Sequence, residues 1–247
     1  MPETVLILGG TAEAAKLARL AHENLAGRAR IIVSLAGRTR APAVLPVEAR
    51  AGGFGGAAGL ADYLRSEKIS LLVDATHPFA ERMSANARLA CAAANVPRLQ
   101  LTRPAWTIPK LARVTWAISL EEAAVLLPDM SRAAFLAVGG RGLAAFAQVK
   151  NVRLVARAVE EPDNKPANIE IVIGRPPFAV ESERALLEGL KVDALVARAS
   201  GGQSGLAKIE AARDLKLSIL LVRRPEPEPG ETVTTVEAAL AWLADRL

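Results

Sequence analysis

Glycines in this sequence recur beside hydroxyl and arginine side chains at the ends of short apolar runs. Gly9-Gly10-Thr11-Ala12-Glu13 follows Val5–Leu8 and opens a stretch with helical spacing. At such a strand-to-helix turn, free N–H groups and the positive helix end converge, which suits a phosphate. Glycine lets the backbone approach a pyrophosphate, and the Thr11 hydroxyl offers one more donor. The same glycines would also serve a turn that only packs helix on sheet. The next apolar run ends Ser34-Leu35-Ala36-Gly37-Arg38-Thr39-Arg40. An NAD site puts an acidic residue there to hold the ribose hydroxyls. Here there is no acid, and two guanidinium groups with two hydroxyls suit a 2′-phosphate instead. The loop favours NADP over NAD, although arginine is equally ordinary in a solvated loop.

Three further clusters have a similar character. Gly52-Gly53-Phe54-Gly55-Gly56 brings backbone close to something, with Phe54 set against a ligand ring or plugged into the core. Asp74-Ala75-Thr76-His77-Pro78-Phe79 follows another apolar run, so Thr76 and His77 fall at the carboxyl end of a strand, on the ligand side of an open sheet. His77 is a candidate proton donor by its titration range, or a structural hydrogen-bonding residue. Gly139-Gly140-Arg141-Gly142 and Arg198-Ala199-Ser200-Gly201-Gly202 combine guanidinium, hydroxyl and bare backbone N–H groups, a surface suited to carboxylates. The alternative is a degenerate half kept for rigidity or dimerisation.

Short apolar runs alternate with amphipathic stretches, and such runs without clean alternation are the mark of parallel strands covered by helices. Strands are expected at Val5–Leu8, Ile31–Leu35, near Val47–Ala51, at Leu71–Asp74 and at Arg98–Thr102. Helices are expected over Ala12–Glu23, Leu60–Ser66 and Phe79–Ala94. The pattern then starts again: Thr4–Thr11 is echoed by Ala134–Arg141, and Leu72–Pro104 by Leu195–Pro225. Each half adds a final apolar strand and a capped helix, at Ser119-Leu120-Glu121-Glu122 and Thr235-Val236-Glu237-Ala238. The expected fold is therefore α/β, with two Rossmann-like domains of mainly parallel sheet and an active site in the cleft between them. Residues 1–128 form the NADPH-binding domain and 130–247 the substrate-side domain, with Asp129-Met130-Ser131 as the hinge. Whether each terminal strand–helix unit packs on its own domain or on the other is left open.

Composition removes several classes. The chain has 247 residues, of which 51% are hydrophobic and 23% charged, which excludes a disordered or fibrous protein. One cysteine and two histidines make a protein-built metal centre improbable and an internal disulfide impossible. No apolar stretch approaches the roughly 18 residues of a membrane span, and the start lacks the basic region of a signal peptide, so a cytoplasmic protein is expected. The net charge of +5 is carried by scattered arginines, without the basic stripe and interleaved aromatics of a nucleic-acid binder. A small polyanion is the better partner for them. The single tyrosine, Tyr63, has Glu67 four places on, so there is no YxxxK dehydrogenase signature. GxSxG and GxxxxGK motifs are missing as well.

Taken in order, Ile7–Glu13, Ser34–Arg38, Gly52–Gly56, Asp74–Ala80, Gly139–Leu143 and Ala199–Gly202 resemble the precorrin-6A reductase family of cobalamin biosynthesis. The likeness covers nearly the whole chain, and Asp-Ala-Thr-His-Pro-Phe is its most specific string. It implies an NADPH-dependent hydride transfer to one double bond of a corrin-precursor macrocycle, giving precorrin-6B. It also implies a tetrapyrrole polycarboxylate as the small-molecule partner, no nucleic acid, no membrane, and a monomer or weak homodimer. The cofactor would be held by Gly9, Gly10, Thr11, Ala12, Glu13, Ser34, Ala36, Gly37, Arg38, Thr39, Arg40, Gly53, Phe54, Gly55 and Thr76. Arg141, Arg198, Ser200, Gly201 and Gly202 would take the substrate, and His77 or water the proton. Arg198 is a departure, since lysine is expected before the family's Ser-Gly-Gly. The other readings are a nucleotide- or corrinoid-binding protein without turnover and an NADP-dependent reductase of another anion.

Overall fold

A computed structural model describes residues 2–35, 45–162, 164–175, 177–202 and 205–247. It divides into two compact units: residues 1–103 with 225–247, and residues 104–224. Each is built on a six-stranded, all-parallel sheet.

In the first unit the strands are β1 (Glu3–Leu8), β2 (Ala29–Leu35), β3 (Glu48–Ala51), β4 (Ile69–Asp74), β5 (Arg98–Leu101) and β12 (Glu231–Val233). Their order is β12-β5-β4-β1-β2-β3. The order reverses between β1 and β4, so the loops that leave these two strands flank a switch point, where open α/β sheets bind ligands. Residues Val5 to Leu8 of β1 are all buried, because helices cover both faces. On one face α1 (Ala12–Asn24) buries Ala14, Leu17, Ala18 and Ala21 in a cluster shared with Val236, Ala239, Trp242 and Leu243 of α7 (Val236–Ala244). On the other face α2 (Ala57–Ser66) and α3 (Glu81–Ala94) pack Leu60, Leu64, Ala87 and Cys91 against Leu6, Leu8 and Leu72.

The second unit repeats this plan with β6 (Arg113–Ala117), β7 (Ala133–Ala137), β8 (Arg153–Ala158), β9 (Ile169–Ile173), β10 (Ala194–Arg198) and β11 (Ser218–Val222), in the order β6-β11-β10-β7-β8-β9. Its helices are α4 (Leu120–Met130), α5 (Val180–Gly189) and α6 (Ala207–Asp214). Ser119 Oγ accepts the Glu122 N–H at 3.1 Å, while Glu122 Oε2 accepts the Ile118 N–H, so the expected capping box forms with its return bond one residue earlier.

The expected boundary at residue 129 is corrected by this arrangement. The strand and helix that follow Arg103-Pro104 become β6 and α4 of the second sheet, and those that follow Arg224-Pro225 become β12 and α7 of the first. Each sheet thus receives its sixth strand from the segment that appeared to close the other half. Asp129-Met130-Ser131 is no hinge. Met130 ends α4, and Ser131 is buried with its hydroxyl donating to Asp193. A second difference follows Gly139-Gly140. In place of a helix there is a seven-residue 3₁₀ segment, Gly140–Phe146, with no side-chain cap, because Arg141 stands where Thr11 caps α1.

Candidate functional site

The loop from β1 to α1 is shaped by three residues. Gly9 lies so near β2 that a Cβ would meet Val33 Cγ1 at 3.0 Å, and its N–H donates to Ser34 O at 2.9 Å. Gly10 has φ +107°, a conformation L side chains rarely adopt, and open space surrounds the position of its missing Cβ. Thr11 caps α1, accepting the Ala14 N–H at 3.1 Å, and donates its own proton to Ala75 O at 2.8 Å. The hydroxyl expected to add a phosphate donor gives its single proton to the neighbouring switch-point loop. The amides of Ala12 and Glu13 in the first turn have no acceptor among the described residues, so the positive end of α1 is open.

Glu13 puts a carboxylate in that first turn, where it would oppose an anion. It is paired with Arg103 Nη2 at 2.7 Å, with side-chain exposures of 28% for the acid and 12% for the base. Arg103 stood out in the sequence only as a marker of the repeat; the fold brings it to the start of α1 and removes the adverse charge. A diphosphate therefore fits here, with open amides, a glycine without steric neighbours and a neutralised acid.

The loop after β4 is organised from below by Asp74, which is 1% exposed. Its Oδ1 accepts the Thr76 N–H at 3.1 Å and the Thr76 hydroxyl at 2.7 Å. Thr76, expected at the cofactor, thus has its proton committed to Asp74. The other carboxylate oxygen, Oδ2, is buried without a hydrogen-bond partner among the described residues. His77 Nδ1 accepts the Phe79 N–H at 3.2 Å, so a neutral imidazole carries its proton on Nε2. Burial pushes the Cys91 thiol beneath this loop up to about 12, with Arg98 lowering it and Asp74 raising it more weakly, so it stays a protonated core residue.

At the far side of the same sheet, Phe54 proves to be no free stacking platform. The Arg50 guanidinium covers its ring at 3.9 Å, and Tyr63 meets it edge-on at 5.2 Å. The loop is seated by Gly59 of α2, where a Cβ would fall 1.8 Å from Phe54 O. Gly53 and Gly55 are exposed, whereas Ser34 is buried and accepts Arg50 Nη1 at 2.7 Å. Ala36, Gly37, Arg38, Thr39 and Arg40 lie outside the described residues.

In the second unit the expected substrate residues come from two loops that meet. Arg198 ends β10 and reaches across Gly142, where a Cβ would stand 3.1 Å from Arg198 Nη2. Arg141 is exposed beside it in sequence. After β10, two of the loop amides are engaged within the protein. The Ser200 N–H donates to Arg198 O at 2.7 Å and the Gly202 N–H to Pro104 O at 3.2 Å. Ser200 and Gly201 are buried, and Gly202 O accepts Trp106 Nε1 at 2.6 Å. Gly205 lets the indole lie close, since a Cβ there would be 2.5 Å from Trp106 Cζ2. Trp106 drew no attention in the sequence; only the course of the chain after Arg103 shows it clamping this loop.

Two parallel six-stranded sheets of this order, with an open helix N-terminus at one switch point and arginines at the other, define an α/β protein of the doubly wound, Rossmann-like type. The chain belongs to the family described as Precorrin-6x reductase CbiJ/CobK, whose model matches residues 4–244. Among its relatives, the precorrin-6A reductase of Rhodococcus erythropolis is 41% identical over 241 residues, which is 97% of this chain and 96% of that one. The precorrin-6A reductase of Sinorhizobium sp. is 42% identical over 247 residues, covering 97% and 94% of the two chains. A solved structure of CobK precorrin-6A reductase is similar at a TM-score of 0.90 and 37% identity, covering 99% of this chain and 97% of that one.

Proposed function

We propose that this protein reduces precorrin-6A to precorrin-6B with NADPH, by hydride transfer to one ring double bond. The observation that carries the reading is the β1–α1 loop at the switch point of the first sheet, in a chain that matches the reductase family from end to end. When bound, the nicotinamide supplies the hydride. The chain's own work is to bind, orient and exclude water.

The amides of Ala12 and Glu13 take the diphosphate at the start of α1, with Gly9 and Gly10 allowing backbone approach. Thr11 and Asp74 are positioning residues. One ties the phosphate loop to Ala75, the other fixes Thr76, and together they set where His77 stands. The proton that accompanies the hydride is assigned to water or to His77 as the imidazolium, a form in which Nδ1 is itself protonated and no longer accepts the Phe79 amide. Selectivity for the 2′-phosphate falls to the basic segment after β2, where Arg38 and Arg40 replace the acid of an NAD site. The substrate's peripheral acetates and propionates suit guanidinium groups, so Arg141 and Arg198 are the residues assigned to them, above the loop clamped by Trp106.

The test is an anaerobic mixture of purified protein, NADPH and precorrin-6A, followed at the NADPH absorbance. Stoichiometric oxidation with formation of precorrin-6B is expected. Binding of both without oxidation would leave a corrinoid-binding protein, and oxidation only with other anions would reassign the substrate.

A further inference from the structure

Arg50 belongs to none of the loops that sequence motifs point to. It lies on β3, a four-residue edge strand, in register with Ser34 of β2. Its guanidinium is held on several sides. Nη1 donates to Ser34 Oγ at 2.7 Å and to Gly52 O at 3.3 Å, and Nη2 donates to Gly53 O at 3.2 Å. The plane rests on Phe54 at 3.9 Å, with Tyr63 at 5.0 Å. A guanidinium has five N–H donors, and these three bonds leave the Nε hydrogen and one Nη2 hydrogen without an acceptor among the described residues. Those two nitrogens share one edge of the planar group, the edge that pairs bidentately with a phosphate or carboxylate. No carboxylate pairs with Arg50 among the described residues, whereas Arg30 on the neighbouring strand is bound by both Glu48 and Glu67.

Place in the fold gives the anion its identity. Through Ser34, Arg50 is fixed at the carboxyl end of β2, and in a sheet of this order that position faces the ribose of an adenine dinucleotide bound at the β1–α1 loop. The residue is immobilised before any ligand arrives, so little side-chain entropy is lost on binding. We propose that Arg50 is a specificity-determining residue, its Nε–Nη2 edge receiving the 2′-phosphate that separates a phosphorylated from an unphosphorylated dinucleotide. Phe54 and Ser34 act through Arg50 as its supports and need not touch the ligand. The proposal rests on the NADPH reading above and adds a residue from a different strand.

The experiment is a set of binding titrations, without substrate, of NADPH, NADH, 2′-AMP and 5′-AMP to the full chain and to Arg50→Met and Arg50→Lys, with melting temperatures alongside. Methionine keeps an unbranched stem against Phe54; lysine keeps the charge and loses the fork. For the unaltered protein, NADPH should bind more tightly than NADH, and 2′-AMP more tightly than 5′-AMP. In Arg50→Met, NADPH and 2′-AMP should weaken by about 10- to 100-fold, the range for hydrogen bonds to a charged group, with NADH and 5′-AMP within about 2-fold. Arg50→Lys should fall between the two and show the steeper dependence on salt. If the unaltered protein prefers NADPH and Arg50→Met retains that preference, Arg50 is not the determinant and the cofactor reading stands. A parallel loss for all four ligands with a lowered melting temperature would make Arg50 a structural brace only. No preference in the unaltered protein would overturn both readings.

Discussion

Replacing Thr11 with valine keeps the shape of the side chain and deletes one hydroxyl. That hydroxyl makes two bonds, accepting from the Ala14 amide at 3.1 Å and donating to the Ala75 carbonyl at 2.8 Å. Loss of an N-cap of this kind costs about 0.5–2 kcal/mol. Loss of the second bond costs about 0.5–1.5 kcal/mol, and about 1–3 where the carbonyl finds no other donor. Ala75 is 1% exposed, so water cannot readily replace the hydroxyl. The two effects share one atom and are not strictly additive, so the expected loss is about 2–4 kcal/mol. Urea unfolding followed by circular dichroism measures it, with Thr11→Ser as the control that restores both bonds. A nucleotide titration separates the roles. With its proton directed at Ala75, Thr11 should influence NADPH only through the order of the loop, and the valine variant should bind within about 10-fold of the parent, less than the roughly 1.5–3 kcal/mol of a direct bond to a charged group. A valine variant as stable as the parent to about 0.5 kcal/mol, yet more than about 100-fold weaker for NADPH, would refute the argument by making the hydroxyl a direct phosphate donor.

Three further outcomes are expected. Glu183→Gln should cost about 3–5 kcal/mol in urea unfolding, because it strands Arg157; the pair is buried, with side chains 2% and 10% exposed, and Arg157 also stacks on Phe178. Burial alone would raise the Asp193 carboxyl, but the Ser131 hydroxyl and the Arg132 and Ala133 amides outweigh it and hold it below the ordinary value. A depressed folded pKa gives stability that is present above the unfolded value of about 3.9 and lost as pH falls through the folded one, so the Asp193→Asn variant should lose less stability than the parent between about pH 4 and pH 2. A fragment of residues 1–128 should lack a cooperative unfolding transition, since it carries β6 and α4 without their sheet and leaves β5 without β12 and α7; a chain joining residue 103 to residue 225 should recover one.

The strands were readable because a parallel sheet covered on both faces demands short, uninterrupted apolar runs, and β1, β4, β10 and β11 supply them. The first glycine loop was readable for a related reason, since Thr11 at an N-cap and glycine before it are local signals. The exchange of the sixth strands was not. Edge strands such as β6 and β12 pair through backbone groups that are alike in either sheet. What decides between the sheets is distant burial, including that of Trp242 and Leu243 of α7 against the face formed by β1 and β5. Arg50 and Trp106 were missed because a lone arginine on a short edge strand and a lone tryptophan in a connecting segment have no period or spacing. Their partners, Ser34 and Gly202, are distant in sequence.

The polar groups of these loops share one constraint. The Thr11 and Thr76 hydroxyls and the Ser200 and Gly202 amides each donate a hydrogen to the protein. Loops at the carboxyl ends of buried strands run beside carbonyls and carboxylates that water cannot reach, and those acceptors need donors first. A hydroxyl has one proton and an amide one hydrogen, so each of these groups, once engaged in the loop, has no second hydrogen to offer. Groups with surplus donors escape this limit. The first turn of α1 has amides that no helical carbonyl can meet, and a guanidinium keeps hydrogens after anchoring itself, as Arg50 does. Under the proposed function, recognition of the anionic cofactor therefore falls to the α1 end and to arginines, while the Thr11 and Thr76 hydroxyls hold their loops in place.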